Sequence, residues 1–231
     1  MSAFYLKIIA VAAMLVDHIG MIFFDNLFIF RAVGRISFPI FAFLIFNGFK
    51  HTSDIKKYLL RLFVLALLSE LPFDLALYGS ALHFNSQNVF FTLFLGLLSL
   101  HLYERFPCNI PYQPFLCALI AFLTRSDYSF LGVLLIFSFR YLKTDKKNTV
   151  SLLALLTAFT LAQILLNAPS LIGTKNIYTL FSYILLQLFT LLSAPLISSY
   201  NLSRGASCKY FFYLFYPLHL LILFFISSLF F

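Results

Sequence analysis

The chain has 231 residues, of which 62% are hydrophobic and only 10% charged, whereas an ordinary soluble domain carries roughly 25% charged residues. That balance excludes a soluble globular protein and implies a polytopic membrane protein, with nearly every residue in or beside a span. The formal net charge of +8 does not imply a nucleic-acid partner, because the basic residues are scattered in short clusters between apolar runs, with no large polar domain to carry them.

In chain order, apolar segments run over 3–24, 28–49, 57–78, 88–105, 112–124, 128–142, 149–168, 177–198 and 209–231. This predicts an all-α, polytopic transmembrane helical bundle of about nine spans. The segments 112–124 and 128–142 are shorter than the roughly 20 residues a spanning helix needs and are read as tilted, half-spanning or re-entrant, so the count is seven to nine. No Gly/Ser/Pro-rich linker interrupts the chain, which is read as a single transmembrane domain over 1–231. The first run has only Lys7 as a positive charge and no small-residue cleavage site, so it reads as a retained helix. Cys108, Cys117 and Cys208 have neither paired nor metal-type spacing, so no disulfide and no metal is expected.

With the N-terminus on the cytoplasmic side, the inner loops and flanks hold Lys7, Lys50, Lys56, Lys57, Arg61, Arg105, Arg140, Lys143, Lys146, Lys147, Arg204 and Lys209. The outer loops hold only Arg125 and Lys175. That bias orients the chain N-terminus inside and, with nine crossings, Phe231 outside.

Against this background the intramembrane polar residues stand out. Asp17 and His18 lie past the middle of the first segment, within Met14-Leu15-Val16-Asp17-His18-Ile19-Gly20. An aspartate at the centre of a spanning helix costs about 2.5–3.5 kcal/mol on insertion scales, so such a residue is expected to face the protein interior and to have a role there. Counted by helical rise, Arg31, Arg35, Glu70, Asp74, Asn88, Thr92, Asp127 and Tyr128 fall in the same outer-half layer. Arg31 and Arg35 are four apart, as are Glu70 and Asp74, so each pair shares a helix face. The two faces match in sign, which predicts either an ion-pair ladder or arginines that bind an anionic group. Pro72 between the two acids removes an N–H, frees the carbonyl of Leu68 and predicts a kink beside them.

His18 is read as a general base, since a histidine can be neutral at working pH and take a proton. Asp17 points about 100° away around the helix, so the acid that orients His18 is sought on another helix, among Glu70, Asp74 and Asp127. His219, beside Pro217 in the last segment, is the second candidate, as catalyst or ligand. His51, His83 and His101 read as solvated histidines, and the many phenylalanines as core and lipid-facing surface. No zinc-type spacing, phosphate loop or nucleophile elbow is present.

Several motifs in order carry a resemblance. They are Met14 to Gly20; Arg31-Ala32-Val33-Gly34-Arg35-Ile36-Ser37-Phe38-Pro39-Ile40-Phe41-Ala42-Phe43; Lys57-Tyr58-Leu59-Leu60-Arg61-Leu62; Ser69-Glu70-Leu71-Pro72-Phe73-Asp74; Asn88-Val89-Phe90-Phe91-Thr92-Leu93; and Tyr216-Pro217-Leu218-His219. Through them the chain resembles the TraX family of integral membrane proteins, well over 4–132 and in the last helix, while 133–208 matches mainly in being apolar.

The resemblance implies a bacterial inner-membrane acetyltransferase that uses acetyl-coenzyme A as donor and no metal. The acceptor it implies is a pilin N-terminus, a glycan or another envelope molecule. On that implication the inner basic cluster of Lys56, Lys57, Arg61, Arg140, Lys143, Lys146 and Lys147 is a place for the polyanionic end of the donor, although positive-inside topology alone also accounts for it. Arg31, Arg35, Asn88, Thr92, Asp127 and Tyr128 are then expected to hold the acceptor, with His18, Asp17, Glu70, Asp74 and His219 around the chemistry. The competing class is a transporter or channel that uses the same layer as a proton or substrate path.

Overall fold

A computed structural model describes residues 1–24, 27–107, 111–142, 149–172 and 177–230. Among them the chain is helical throughout, and each of the nine apolar segments appears as helix. In order these are α1 (Ala3–Phe23), α2 (Phe28–Gly34), α3 (Ser37–His51), α4 (Ile55–Tyr78), α5 (Val89–Arg105), α6 (Gln113–Leu123) and α7 (Ser129–Ser138), the last closed by a tight turn Phe139–Tyr141. Then follow α8 (Thr149–Ile172), α9 (Ile177–Leu188), a second tight turn Phe189–Leu192, α10 (Ser193–Ser198) and α11 (Lys209–Phe230).

Five stretches are long and apolar enough to cross a membrane: Ala3–Phe23, Phe28–His51, Thr149–Asn167, Ile177–Ser198 and Tyr210–Phe230. The chain is thus a multi-pass membrane protein, but the count of seven to nine full spans is not what helix length delivers among the described residues. The helices α5, α6 and α7 have 17, 11 and 10 residues. The helix α4 has 24, but every 18-residue window of it carries at least three of Lys56, Lys57, Arg61, Glu70 and Asp74.

The second predicted segment is interrupted between α2 and α3, and Pro39 supplies the reason. Its nitrogen cannot donate to the carbonyl of Arg35, so the helical ladder fails where Arg35 and Ile36 form a turn. Ser37, just past the break, donates its hydroxyl to the Ala10 carbonyl of α1 at 2.8 Å, in a buried site. The eighth segment is likewise broken, into α9, the tight turn and α10.

The helices form two compact units, Met1–Phe41 with Leu142–Ser207 and Ala42–Tyr141 with Cys208–Phe231. In the first, α1 packs on α2, α2 on α9, and α8 on α9 and α10. Loop carbonyls cap the start of α1, because the first-turn N–H groups of Ala3 and Phe4, which lack helical partners, donate to Ser203 and Arg204 at 2.9 and 3.2 Å. In the second unit, α5 packs on α4, α6 and α7, and α11 runs against α4. Its core is apolar, with Leu95, Cys117, Ala118, Ala121 and Val133 buried together under Phe94, Phe130 and Leu134. Asp54 caps α4 by accepting from the Lys57 N–H at 3.0 Å, and Gly79, at φ 65°, ends it in the left-handed conformation that glycine adopts without cost. Exposed Leu67, Leu68 and Leu71 on α4 and Phe115, Phe122 and Leu119 on α6 are the lipid-facing surface the composition implies.

Candidate functional site

The polar residues of the membrane layer fall into two buried clusters, one in each unit. In the first unit Asp17 of α1 accepts from the guanidinium of Arg31 of α2 at 2.7 Å, and the side chains are only 21% and 17% exposed. Arg35 lies within Coulombic range of the same carboxylate. Two glycines let the helices come this close. A Cβ on Gly34 would run into Cβ, Cγ and Oδ1 of Asp17, and one on Gly20 would run into the Phe30 side chain. His18, the next residue after Asp17, is buried.

Arg35 also lies in range of Tyr183 of α9, whose hydroxyl donates to the Gln163 carbonyl of α8 at 3.3 Å and is joined by the side chains of Gln187 and Asn167. None of these four was singled out in the sequence. The signal was there, since Gln163 and Asn167, and Tyr183 and Gln187, are each four apart in otherwise apolar helices.

The second cluster is built on the N-terminus of α5. Asn88 caps that helix, its Oδ1 accepting from the Phe90 N–H at 3.0 Å. Its Nδ2 donates to the Ala66 carbonyl of α4 at 2.8 Å and to Oε2 of Glu70, which also accepts from the Asn88 backbone N–H at 3.3 Å. The next N–H, that of Val89, meets the phenol oxygen of Tyr216 on α11, and that phenol lies within Coulombic range of Glu70 and Asp127. Amide groups that a helix start normally leaves open are therefore closed by side chains from α4 and α11. One turn further on α4, buried Asp74 accepts from the His83 N–H at 2.8 Å. His83 is thus not the plain solvated histidine expected, since its ring stacks on Tyr78 at 3.8 Å. Oε1 of Glu70 and Oδ1 of Asp74 have no hydrogen-bond partner among the described residues. A buried carboxylate oxygen of this kind can accept a proton or a substrate N–H or O–H.

The loop before α7 completes this cluster. Arg125, Tyr128 and Ser129 adopt φ of 53°, 58° and 45°, a conformation that costs a residue with a side chain about 1–3 kcal/mol and persists only where the surroundings impose it. Here Gln87 receives the Asp127 N–H at 2.9 Å and donates to the Arg125 carbonyl at 3.1 Å. The buried Thr92 hydroxyl reaches the Asp127 carbonyl and the Ser126 hydroxyl. The Asp127 carboxylate accepts from the Tyr128 N–H at 2.9 Å.

His219 is also buried in this unit. Its Nδ1 is 2.8 Å from the Phe215 carbonyl and its ring stacks on Phe215 at 4.8 Å. A carbonyl can only accept, so Nδ1 carries the proton and Nε2 is the basic nitrogen of the neutral ring.

The structure therefore gathers Glu70, Asp74, Asn88, Thr92, Asp127, Tyr128 and His219 in one unit, and Asp17, His18, Arg31 and Arg35 in the other. The ladder expected of Arg31 and Arg35 with Glu70 and Asp74 rested on spacing and sign. Within its own unit, the carboxylate that Arg31 meets is Asp17, while Glu70 and Asp74 are held by Asn88 and His83.

Of the expected donor-binding cluster, Lys57 pairs with Asp54 at 3.0 Å and Arg140 with Glu104 at 2.9 Å. Arg140 also lies over Tyr103, Arg61 sits by the Tyr58 ring, and Lys56 is exposed. Lys143, Lys146, Lys147, Lys175, Cys108 and Phe231 lie outside the described residues. Cys117 and Cys208 are free thiols, and among the described residues no three His, Cys, Asp or Glu side chains gather as metal ligands would.

The cap around Asn88 carries a direct expectation. Asn88→Ala removes the helix cap together with the donor to Glu70 and Ala66, so unfolding in detergent is expected to become easier by roughly 2–4 kcal/mol. An unfolding midpoint unchanged from wild type would show that the junction of α4 and α5 does not depend on this residue.

Comparison with known proteins agrees with the motif order. A family model described as TraX protein matches residues 2–227. A relative named as probable fimbrial assembly protein FimC, serogroup H1, from Dichelobacter nodosus is 31% identical over 242 residues, covering 96% of this chain and 94% of its own length. No solved structure matches the chain.

Proposed function

The chain belongs to the TraX family, and from that membership we propose that it is an integral membrane acetyltransferase. It takes the acetyl group from acetyl-coenzyme A and passes it to an amine or hydroxyl acceptor at the outer half of the bacterial inner membrane. The printed name of its relative, a probable fimbrial assembly protein, favours a pilus component as acceptor, with a glycan or other envelope molecule as the alternatives.

The observation that carries the mechanism is the setting of His18. It is a buried imidazole in a helix apolar enough to span, one residue from an aspartate already paired with an arginine. Asp17 is thereby a structural acid that fixes the rotation of α1, and His18 is the group able to move a proton. The acceptor nitrogen or oxygen attacks the thioester carbonyl and His18 takes its proton. The carbon–sulfur bond then breaks, and the imidazolium returns the proton to the departing thiolate. Arg31 and Arg35, in the same unit as His18, meet any anionic part of the acceptor. Where His219 is the base, Thr92, Asp127 and Tyr128 of its own unit orient the acceptor, and Glu70 and Asp74 offer their open oxygens to its N–H or O–H groups. Lys56, Lys57, Arg61 and Arg140 meet the phosphates of the donor.

A second reading assigns the base to His219, favoured by the Phe215 carbonyl that holds its Nδ1–H and leaves Nε2 as the basic nitrogen. Purified protein given acetyl-labelled coenzyme A tests both. Label passing to an acceptor, or donor hydrolysis, supports the enzyme, whereas no donor binding at all returns the buried charges to a transport path.

The N-terminus is proposed to be cytoplasmic. Single cysteines placed at 80–87 in a chain stripped of its own cysteines should react with a membrane-impermeant reagent in intact cells. Outside labelling at 144–148 would reverse the topology.

A further inference from the structure

We propose that Tyr216 is a positioning residue, whose phenol at the N-terminus of α5 pins α11 at the turn opened by Pro217 and so sets the aim of His219. This rests on the reading in which His219 belongs to the acetyl-transfer site. Pro217 has no N–H to give the Tyr213 carbonyl, so α11, although continuous, lacks one rung of its ladder there. The residue immediately before it is Tyr216, nearly fully buried and held at two points. Its oxygen receives the Val89 N–H. Its ring meets Phe90 edge-on at 5.0 Å and His219 at 5.5 Å. The groups that hold it, Val89 and Phe90 at the start of α5, directly follow Asn88 of the cluster described above. Tyr216, whose ring lies beside His219 one turn on, thus ties this part of α11 to the start of α5, where the helix lacks a rung of its own ladder.

The test uses the full chain in detergent and follows carbethoxylation of each histidine by diethyl pyrocarbonate, read by peptide mass. Tyr216→Phe keeps the ring and its packing and removes only the hydroxyl. His219 should then be modified about tenfold faster, as expected of a locally loosened site, with His18 unchanged. In the acetyl-transfer assay kcat should fall by up to about 10²-fold at constant KM for the donor, the effect of a misplaced catalytic group.

Unchanged His219 reactivity overturns the proposal whatever the activity, and a parallel rise at His18 overturns it as general loosening. Faster His219 modification in a protein that transfers no acetyl group supports the placement and sinks the acetyltransferase reading instead. Should Tyr216→Phe fail to accumulate, Phe90→Leu, which loosens the ring and keeps the hydroxyl, must raise His219 reactivity in the same selective way or the proposal fails.

Discussion

His18→Ala is expected to insert and accumulate normally, to retain coenzyme A binding, and to transfer acetyl groups about 10²–10⁴-fold more slowly. The size follows from what the imidazole does. An amine or hydroxyl attacking a thioester must shed a proton, and among the polar side chains beside Asp17 only His18 can be neutral and basic near neutral pH, since the arginines do not deprotonate. Replacing the buried imidazole of α1 removes packed volume as well as the base, so membrane level measured beside turnover separates a catalytic from a folding defect. His219→Ala is the paired variant. If it abolishes turnover while His18→Ala stays near wild type, the base is His219. If both retain turnover, the proton goes to a carboxylate among Glu70, Asp74 and Asp127.

Breaking the pair between Asp17 and Arg31 is expected to have the largest effect on stability. Asp17→Asn or Arg31→Gln leaves the opposite charge in a mostly buried setting, at a cost of about 3–5 kcal/mol. Gly34→Ala should act in the same direction without touching either charge, because the new Cβ would occupy the space of the Asp17 carboxylate. The double variant Asp17→Asn with Arg31→Gln should recover much of the loss, since neither charge is then stranded. Unfolding midpoints in detergent for the four proteins decide the point. Single variants as stable as wild type would mean that the pair is not coupled and that Asp17 does not fix α1.

Most members of the two buried polar clusters were legible in the residues. Asp17, His18, Arg31, Glu70, Asn88, Thr92 and Asp127 stand out because a polar group in an apolar helix has few explanations. Partners were less legible than members. Spacing set Arg31 and Arg35 against Glu70 and Asp74 by sign and period, but it could not register that Gly34 leaves a gap the width of a carboxylate, into which Asp17 fits. The amide of Asn88 was read as substrate-binding, whereas its three hydrogen bonds to Glu70, Ala66 and Phe90 make it first a joint between α4 and α5. Tyr183 and Gln187 are not legible as polar partners because tyrosine and glutamine in an apolar run read as packing until their neighbours are known.

By itself the sequence determined the helical, membrane-embedded character of the chain and the placing of its nine apolar segments, since hydrophobic length and period are local properties that survive any rearrangement of neighbours. It also carried the family, through motifs whose order no single helix constrains. Only the tertiary structure decided which carboxylate Arg31 meets and how Asn88 joins α4 to α5. It alone showed that the strained loop at Arg125–Ser129 is held by Gln87 and Thr92. These depend on which backbone carbonyl, glycine gap or amide lies across from a side chain, and that is a property of helices in contact, not of the period along one of them.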